Sequence, residues 1–459
     1  MALDADAALR IDDAPDVSPT PDAGPADTGP ALRVLPPSSR ALQDLVGFSL
    51  PGLDLPSGAT PRDVGRRAWA LRTVRALGLH RVRREILWAE VEPARGTFTW
   101  DGYDAIVSEC AATGIDVLGL LAYGTPWASS AAGATAENPP DDPADFAAYV
   151  TATVNRYRAH VHDWEVWNEP NAGFRFWRPS LRGDPVAFGR LVASARSAVV
   201  AVDPAARVAF GGTVFLPQLI EGGVAFSRDS FDANPGLAAS LGAFAMHAYT
   251  LYPPRVGPEA EGGGEVSHVH KIQQMAAMLG GEGFDTARPL WVTETGWPVT
   301  ADVSELQQAQ YLVRTVLLSA FAGADGVWLY ELGDGPGGNA LVPEDDFGLY
   351  HYDPDPSDTQ DPAPKPAAGA VAGLVRTLGG YHVVARETDA SAPNDGWVLR
   401  LEDAAGRRAW AVWRSDDGGH PWQWTPPGEA VDRFDMNGDA LAGSGLVTPG
   451  TSPVYVRAR

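Results

Sequence analysis

A chain of 459 residues exceeds what one hydrophobic core serves, about 250–300 residues, so one large domain and a smaller one are expected. A formal net charge of −23 and a pI near 4.7 argue against nucleic acid and anionic membranes as partners, because phosphate surfaces reward basic patches. No apolar run approaches the roughly 20 residues of a transmembrane helix, and a lone cysteine, Cys110, excludes an internal disulfide.

Residues 1–30 are rich in Asp, Pro and Ala with almost nothing to bury, and read as a disordered acidic linker. They lack the basic start and apolar stretch of a signal peptide. A spacer of this composition fits between an export signal or lipid anchor and an enzyme, so a secreted or surface-anchored, extracytoplasmic protein is expected.

From residue 43 short apolar runs alternate with amphipathic segments. The expected strands are 44–50, 80–87, 115–124, 161–169, 207–215, 242–250, 288–295 and 325–333. The helices between and after them are expected at 62–78, 101–114, 142–160, 184–204, 229–241, 265–281, 304–323 and 364–380. Buried strands alternating with helices imply a parallel sheet, and eight such units match a closed (β/α)8 TIM barrel within residues 31–380. An open doubly wound sheet would want G-x-G-x-x-G after its first strand; the chain has GFSLPGLDLPSG instead. After 380 the pattern becomes period two, as in GWVLRLEDAAGRRAWAVWR, and an all-β domain, a small β-sandwich, is expected over 381–459. Residues 31–39 could add a strand to it.

Active sites of such barrels lie at the C-terminal ends of the strands. Strand four ends in Asn168-Glu169, strand six in His247-Ala248-Tyr249 and strand seven in Glu294 of WVTETGW; strand two carries Arg83 and strand eight Trp328 and Glu331. Two carboxylates on separate strands, without a cysteine or histidine cluster, suit acid/base and nucleophilic work on a glycosidic bond. Arg83 and the Tyr249 hydroxyl are placed to keep Glu294 ionised as nucleophile, leaving Glu169 as the protonated acid and Asn168 for a sugar hydroxyl. His247 reads as a positioning group. Aromatic rings stack on sugar faces; Trp88, Tyr123, Trp127, Phe174, Phe176, Trp177, Trp297 and Trp328 are the candidates, with Trp328, Trp88 and Trp177 foremost. His268 and His270, two apart on a helix, face different ways and read as solvent-exposed rather than as a metal pair. DMNGDA (435–440) reads as a hairpin turn.

The sequence resembles the retaining glycoside hydrolases of clan A in Trp-Asn-Glu-Pro ending strand four, His-x-Tyr ending strand six and Thr-Glu-x-Gly-Trp ending strand seven. WAEVEPARGTFTWDGYD (88–104), FGLYHYD…PKPAAGAV (347–371) and WNEPN bring it nearest to glycoside hydrolase family 39 and its relatives. The resemblance implies a double displacement on a β-linked poly- or oligosaccharide, with Glu169 as acid/base, Glu294 as nucleophile, and neither metal nor organic cofactor. TETGWP departs toward family 17, so the clan is better supported than the family number. A transglycosylase using the same pair, or a silent carbohydrate-binding protein on the same scaffold, are the alternatives. The oligomeric state is left open.

Overall fold

A computed structural model describes residues 35–51, 61–215, 222–250, 256–261, 266–335, 343–353, 361–387, 389, 392–416, 422–427, 430–443 and 446–459. The expected linker over 1–30 lies outside these residues. Eight parallel strands close a barrel in sequence order: β1 Val46–Ser49, β2 Arg81–Leu87, β3 Asp116–Ala122, β4 Asp163–Asn168, β5 Arg207–Val214, β6 Ala243–His247, β7 Leu290–Thr295 and β8 Gly326–Leu329. β1 pairs with both β2 and β8, which completes the ring.

One longer helix follows each strand: α1 Pro61–Ala76, α2 Asp101–Thr113, α3 Pro143–Tyr157, α4 Pro185–Val202, α5 Gly223–Ala233, α6 His268–Gly281, α7 Glu305–Ala322 and α8 Pro366–Leu378. Their starts are written in the sequence. Asp142, Asp184 and Ser267 cap the free N–H groups of α3, α4 and α6, and proline opens α3, α4 and α8. Ser304 and Gln307 form a capping box on α7. The fifth helix begins earlier than expected, at Gly223, with a separate turn over Leu237–Ser240. Among the described residues α4 alone is long and apolar enough to cross a membrane, and it is part of the helical ring.

The C-terminal region is a separate antiparallel sheet ordered β12-β13-β11-β10-β9, from β9 Tyr381–Arg386, β10 Gly396–Asp403, β11 Arg408–Arg414, β12 Val431–Phe434 and β13 Val454–Ala458. Alternation gives it two buried faces. Val398, Trp410, Val412 and Val456 pack under Trp422, Trp424 and Val447, the last two joined by a β-bridge. Leu399, Leu401, Ala411, Trp413 and Tyr455 merge with the barrel core. At this seam Arg314 of α7, fully buried, clasps Glu259, to which the Trp413 indole also donates at 2.7 Å. Residues 35–40 join no strand of this sheet: Ser38 donates to Ala320 and Asp325, which pins the segment to the end of α7. The DMNGDA stretch is a turn, with Asp435 Oδ1 accepting the N–H groups of Asn437 and Asp439.

Candidate active site

Alternation on β2 puts Arg83 inside the barrel, where its guanidinium organises the mouth. Nε and Nη2 grip both oxygens of Glu165 at 2.7 and 3.1 Å, Nη1 donates to Glu294 Oε1 at 2.5 Å, and Nη2 to Asn168 Oδ1 at 2.8 Å. Burial alone would push Arg83 down; the charges of Glu165 and Glu294 outweigh it and hold Arg83 above the usual arginine range. Glu165 takes further hydrogen bonds from the Gly212 N–H and the Thr293 hydroxyl. It is therefore the structural partner of Arg83 (the sequence reading passed over it, although the even spacing of Asp163 and Glu165 in DWEVW marks both as inward).

The end of β4 breaks strict alternation. Trp164 and Val166 face the outer core, and Trp167, next due inward, also packs outside against Phe146 and Trp177. Its φ of 67° and the 42° of Glu169 lie in the left-handed region, uncommon for side chains of this bulk and costing about 1–3 kcal/mol each. The phase slip brings Asn168 and Glu169 to the mouth. Asn171 holds the distorted turn by exchanging hydrogen bonds with the Val214 backbone at 2.9 and 3.0 Å.

Glu169 and Glu294 face each other with different partners. Glu294 accepts from Arg83 and, through Oε2, from the Tyr249 hydroxyl at 3.1 Å. Glu169 Oε1 lies 2.8 Å from His247 Nδ1, which sits 3.6 Å from Glu294 Oε2. Burial lowers His247, but Glu294 and Glu169 together carry it above the ordinary imidazole range. Its buried Nε2 has no partner among the described residues and points at Gly212, where an added Cβ would come within 2.2 Å. Oxygens of Glu169 and Glu294 and the His247 nitrogen all fall within 4.8 Å of one another. By distance that trio could hold a cation, but the Arg83 charge already occupies a Glu294 oxygen.

Two further carboxyls reach the mouth. Glu85, two residues beyond Arg83, accepts from the Tyr123 phenol at 3.1 Å. Glu331 follows β8, and its carboxyl has no hydrogen-bond partner among the described residues. Both are half-buried and raised, by burial first and by the charge of Glu294 among other groups.

The tryptophans need correction as sugar-stacking candidates. Trp328 lies in the lower barrel against Trp291, with the Arg81 guanidinium over its ring at 4.3 Å. Trp88 is fully buried on Tyr149 and donates to Glu92, and Trp177 is wedged between Trp167 and Phe188. Trp127 is half-buried, but Arg95 covers its ring at 4.5 Å. Trp297 is fully buried and donates to the Val256 carbonyl. Of the aromatic candidates, Tyr123, stacked on Phe176 at 5.4 Å, and Phe174 stay half-buried near the mouth, where Phe174 and Tyr330 pack beside Tyr249 and Phe347. His268 also departs from expectation. It is fully buried, contacts the Ala248 carbonyl and the Ser319 hydroxyl, and burial drives it down to about 3. Together with Lys271, which donates to the Tyr249 carbonyl at 2.8 Å, it props the end of β6 from behind. His270 is half-buried near Glu261. Cys110 is buried in α2, its thiol pushed up to about 11 by burial, so it is unreactive at neutral pH.

Solved structures of the same architecture include a family 39 glycoside hydrolase from the gut symbiont Bacteroides cellulosilyticus WH2, with 23% identity and a TM-score of 0.71 over 92% of this chain and 81% of that one. A GH39 enzyme from Xanthomonas axonopodis pv. citri follows at 17% identity and a TM-score of 0.60, over 92% and 95%. The catalytic domain of GH30 xylanase C from Talaromyces cellulolyticus aligns at 14% identity and a TM-score of 0.59, over 93% and 99%. At these identities the likeness establishes the fold, a closed (β/α)8 barrel with an attached β domain. No family model matches the sequence, and no curated protein matches it.

Proposed function

We propose that the chain is a retaining glycoside hydrolase acting on a β-linked poly- or oligosaccharide, with Glu294 as nucleophile and Glu169 as acid/base. The observation that carries this reading is the pair itself: two carboxylates from β7 and the end of β4, with oxygens within 4.8 Å, held by unlike partners. Retention needs carboxyl groups about 5–5.5 Å apart, whereas inversion needs about 6.5–9.5 Å to admit a water between them. In the first step a Glu294 oxygen bonds to the anomeric carbon as the glycosidic C–O bond breaks, and the Glu169 proton passes to the leaving oxygen. In the second, Glu169 takes a proton from water, whose oxygen displaces Glu294 and restores the starting configuration. Arg83 and Tyr249 favour the charged form of Glu294, and His247 orients Glu169. The acidic composition of residues 1–30 supports an extracytoplasmic site of action.

Glu294→Ala is expected to abolish turnover of aryl β-glycosides. Glu169→Ala should spare substrates with activated leaving groups and give a β-glycosyl azide when azide is added. Near-wild-type rates in both variants would overturn the assignment.

A further inference from the structure

The double displacement uses two carboxyls, and Arg83 explains a third, Glu165. Glu85 is left over. It shares the inner face of β2 with Arg83, yet every hydrogen bond of that guanidinium goes elsewhere, to Glu165, Glu294, Asn168 and Ser49. Arg84, the next residue back, points to the opposite face of the strand and is buried there. What Glu85 has is a neutral phenol: Tyr123, from the end of β3, donates to Oε1, and Oε2 has no hydrogen-bond partner among the described residues. A half-buried carboxyl beside another carboxyl, without a hydrogen-bonded cation, is a costly arrangement in the free protein. Burial pushes it up; the charges of Arg83 and Arg84 offset part of this without a hydrogen bond to it among the described residues, and Glu294 adds to the rise.

Resting on the hydrolase reading, we propose that Glu85 and Tyr123 form a hydroxyl-reading pair that determines which sugar is accepted against Glu294. A carboxyl with one open oxygen beside a phenol matches a neutral sugar hydroxyl, which both gives and takes a hydrogen bond. The Tyr123 ring stacks on Phe176 at 5.4 Å, and the Arg175 guanidinium lies over Phe176 at 4.9 Å, so Tyr123 supplies the ring for a sugar's C–H face. An acidic sugar would bring a carboxylate against Glu85 and Glu294 together, so the substrate class is a neutral glycoside and uronides are rejected.

The test compares wild type, Glu85→Ala and Glu85→Gln on aryl β-glucoside, β-galactoside, β-xyloside and β-glucuronide, and on monodeoxy forms of the best substrate. Glu85→Ala should lower kcat/KM on the best neutral glycoside by about 10- to 100-fold. On the one deoxy form that lacks the hydroxyl being read it should lose less than about threefold. Glu85→Gln, which keeps shape and one acceptor, should fall between. Equal losses on every glycoside, no loss on any, or a glucuronide cleaved as fast as the neutral sugars would each overturn the inference. If the wild type cleaves none of them, the hydrolase reading fails, and calorimetric titration of the corresponding monosaccharides then decides. Binding by wild type and not by Glu85→Ala supports the pair; equal binding, or none by wild type, overturns it.

Discussion

The two ends of the barrel use the same residue types to opposite effect, and β2 shows both within three positions. At the lower end Arg81 donates to the Asp44 and Leu45 carbonyls and lies over Trp328, while Arg207 pairs with both oxygens of Asp163 and lies over Trp291. Burial pushes Arg81 down to about 10, whereas carboxylates hold Arg83 up. At the mouth Glu85, Glu165, Glu169, Glu294 and Glu331 gather, and Arg83 hydrogen-bonds only Glu165 and Glu294 of these. Among the described residues the floor gives Arg207 a carboxylate and Arg81 two backbone carbonyls, and lays an indole against each. The mouth leaves carboxyls unmatched and accepts the cost. Stability is therefore expected to depend on the floor and chemistry on the mouth.

The sharpest break between the ends is Glu294→Ala. Turnover should fall by about 10⁴-fold or more, while the melting temperature stays within about 4 °C of wild type, because Arg83 keeps Glu165. A large loss of stability would show that the mouth is built like the floor. Trp328→Ala should do the reverse, lowering unfolding free energy by about 3–5 kcal/mol. The folded fraction should keep kcat/KM within about twofold. A selective rise in KM for sugars would return Trp328 to the substrate site.

The misplacement of Trp328 shows where sequence reading stops. The rhythm of apolar runs revealed eight strands because buried parallel strands are short and uninterrupted. Asn168-Glu169 and Glu294 stood out because charge at the end of such a strand is costly. Depth within the barrel is different. Closure tilts and staggers the strands, so Trp328 pairs with Gly47, early in β1, although it is the penultimate residue of β8. Position along a strand then says little about height. Trp88 and Trp177 were misread for a related reason: both follow strand ends in sequence but pack outward under the helices. Tyr123 and Phe176 are among the aromatic candidates but carry no motif that would rank them above the tryptophans; they come together because the loops after β3 and β4 are neighbours in the ring.

His268 tests the support behind the mouth through pH. Its imidazole is about 3 in the fold against 6.5 ordinarily, so between those values the unfolded chain holds the extra proton. Stability from His268 is complete above pH 6.5 and declines as pH falls toward 3. His268→Gln should flatten that acid limb in thermal melts. An unchanged limb would mean that the β6 support does not depend on a neutral imidazole.

The smallest effect separates the ends most directly. Burial raises Glu331 well above its ordinary 4.5, and Asp334 and Glu294 add to the shift. A raised carboxyl binds its proton more tightly in the fold than in the unfolded chain. Its contribution is complete below 4.5 and disappears as pH rises through the folded value. Glutamine keeps the shape without the titration. Glu331→Gln should therefore melt with wild type near pH 4 and above it by a few degrees at about pH 9. A variant less stable than wild type at every pH would mean that Glu331 is a matched charge like Asp163 on the floor, and the contrast between the two ends would fail at that residue.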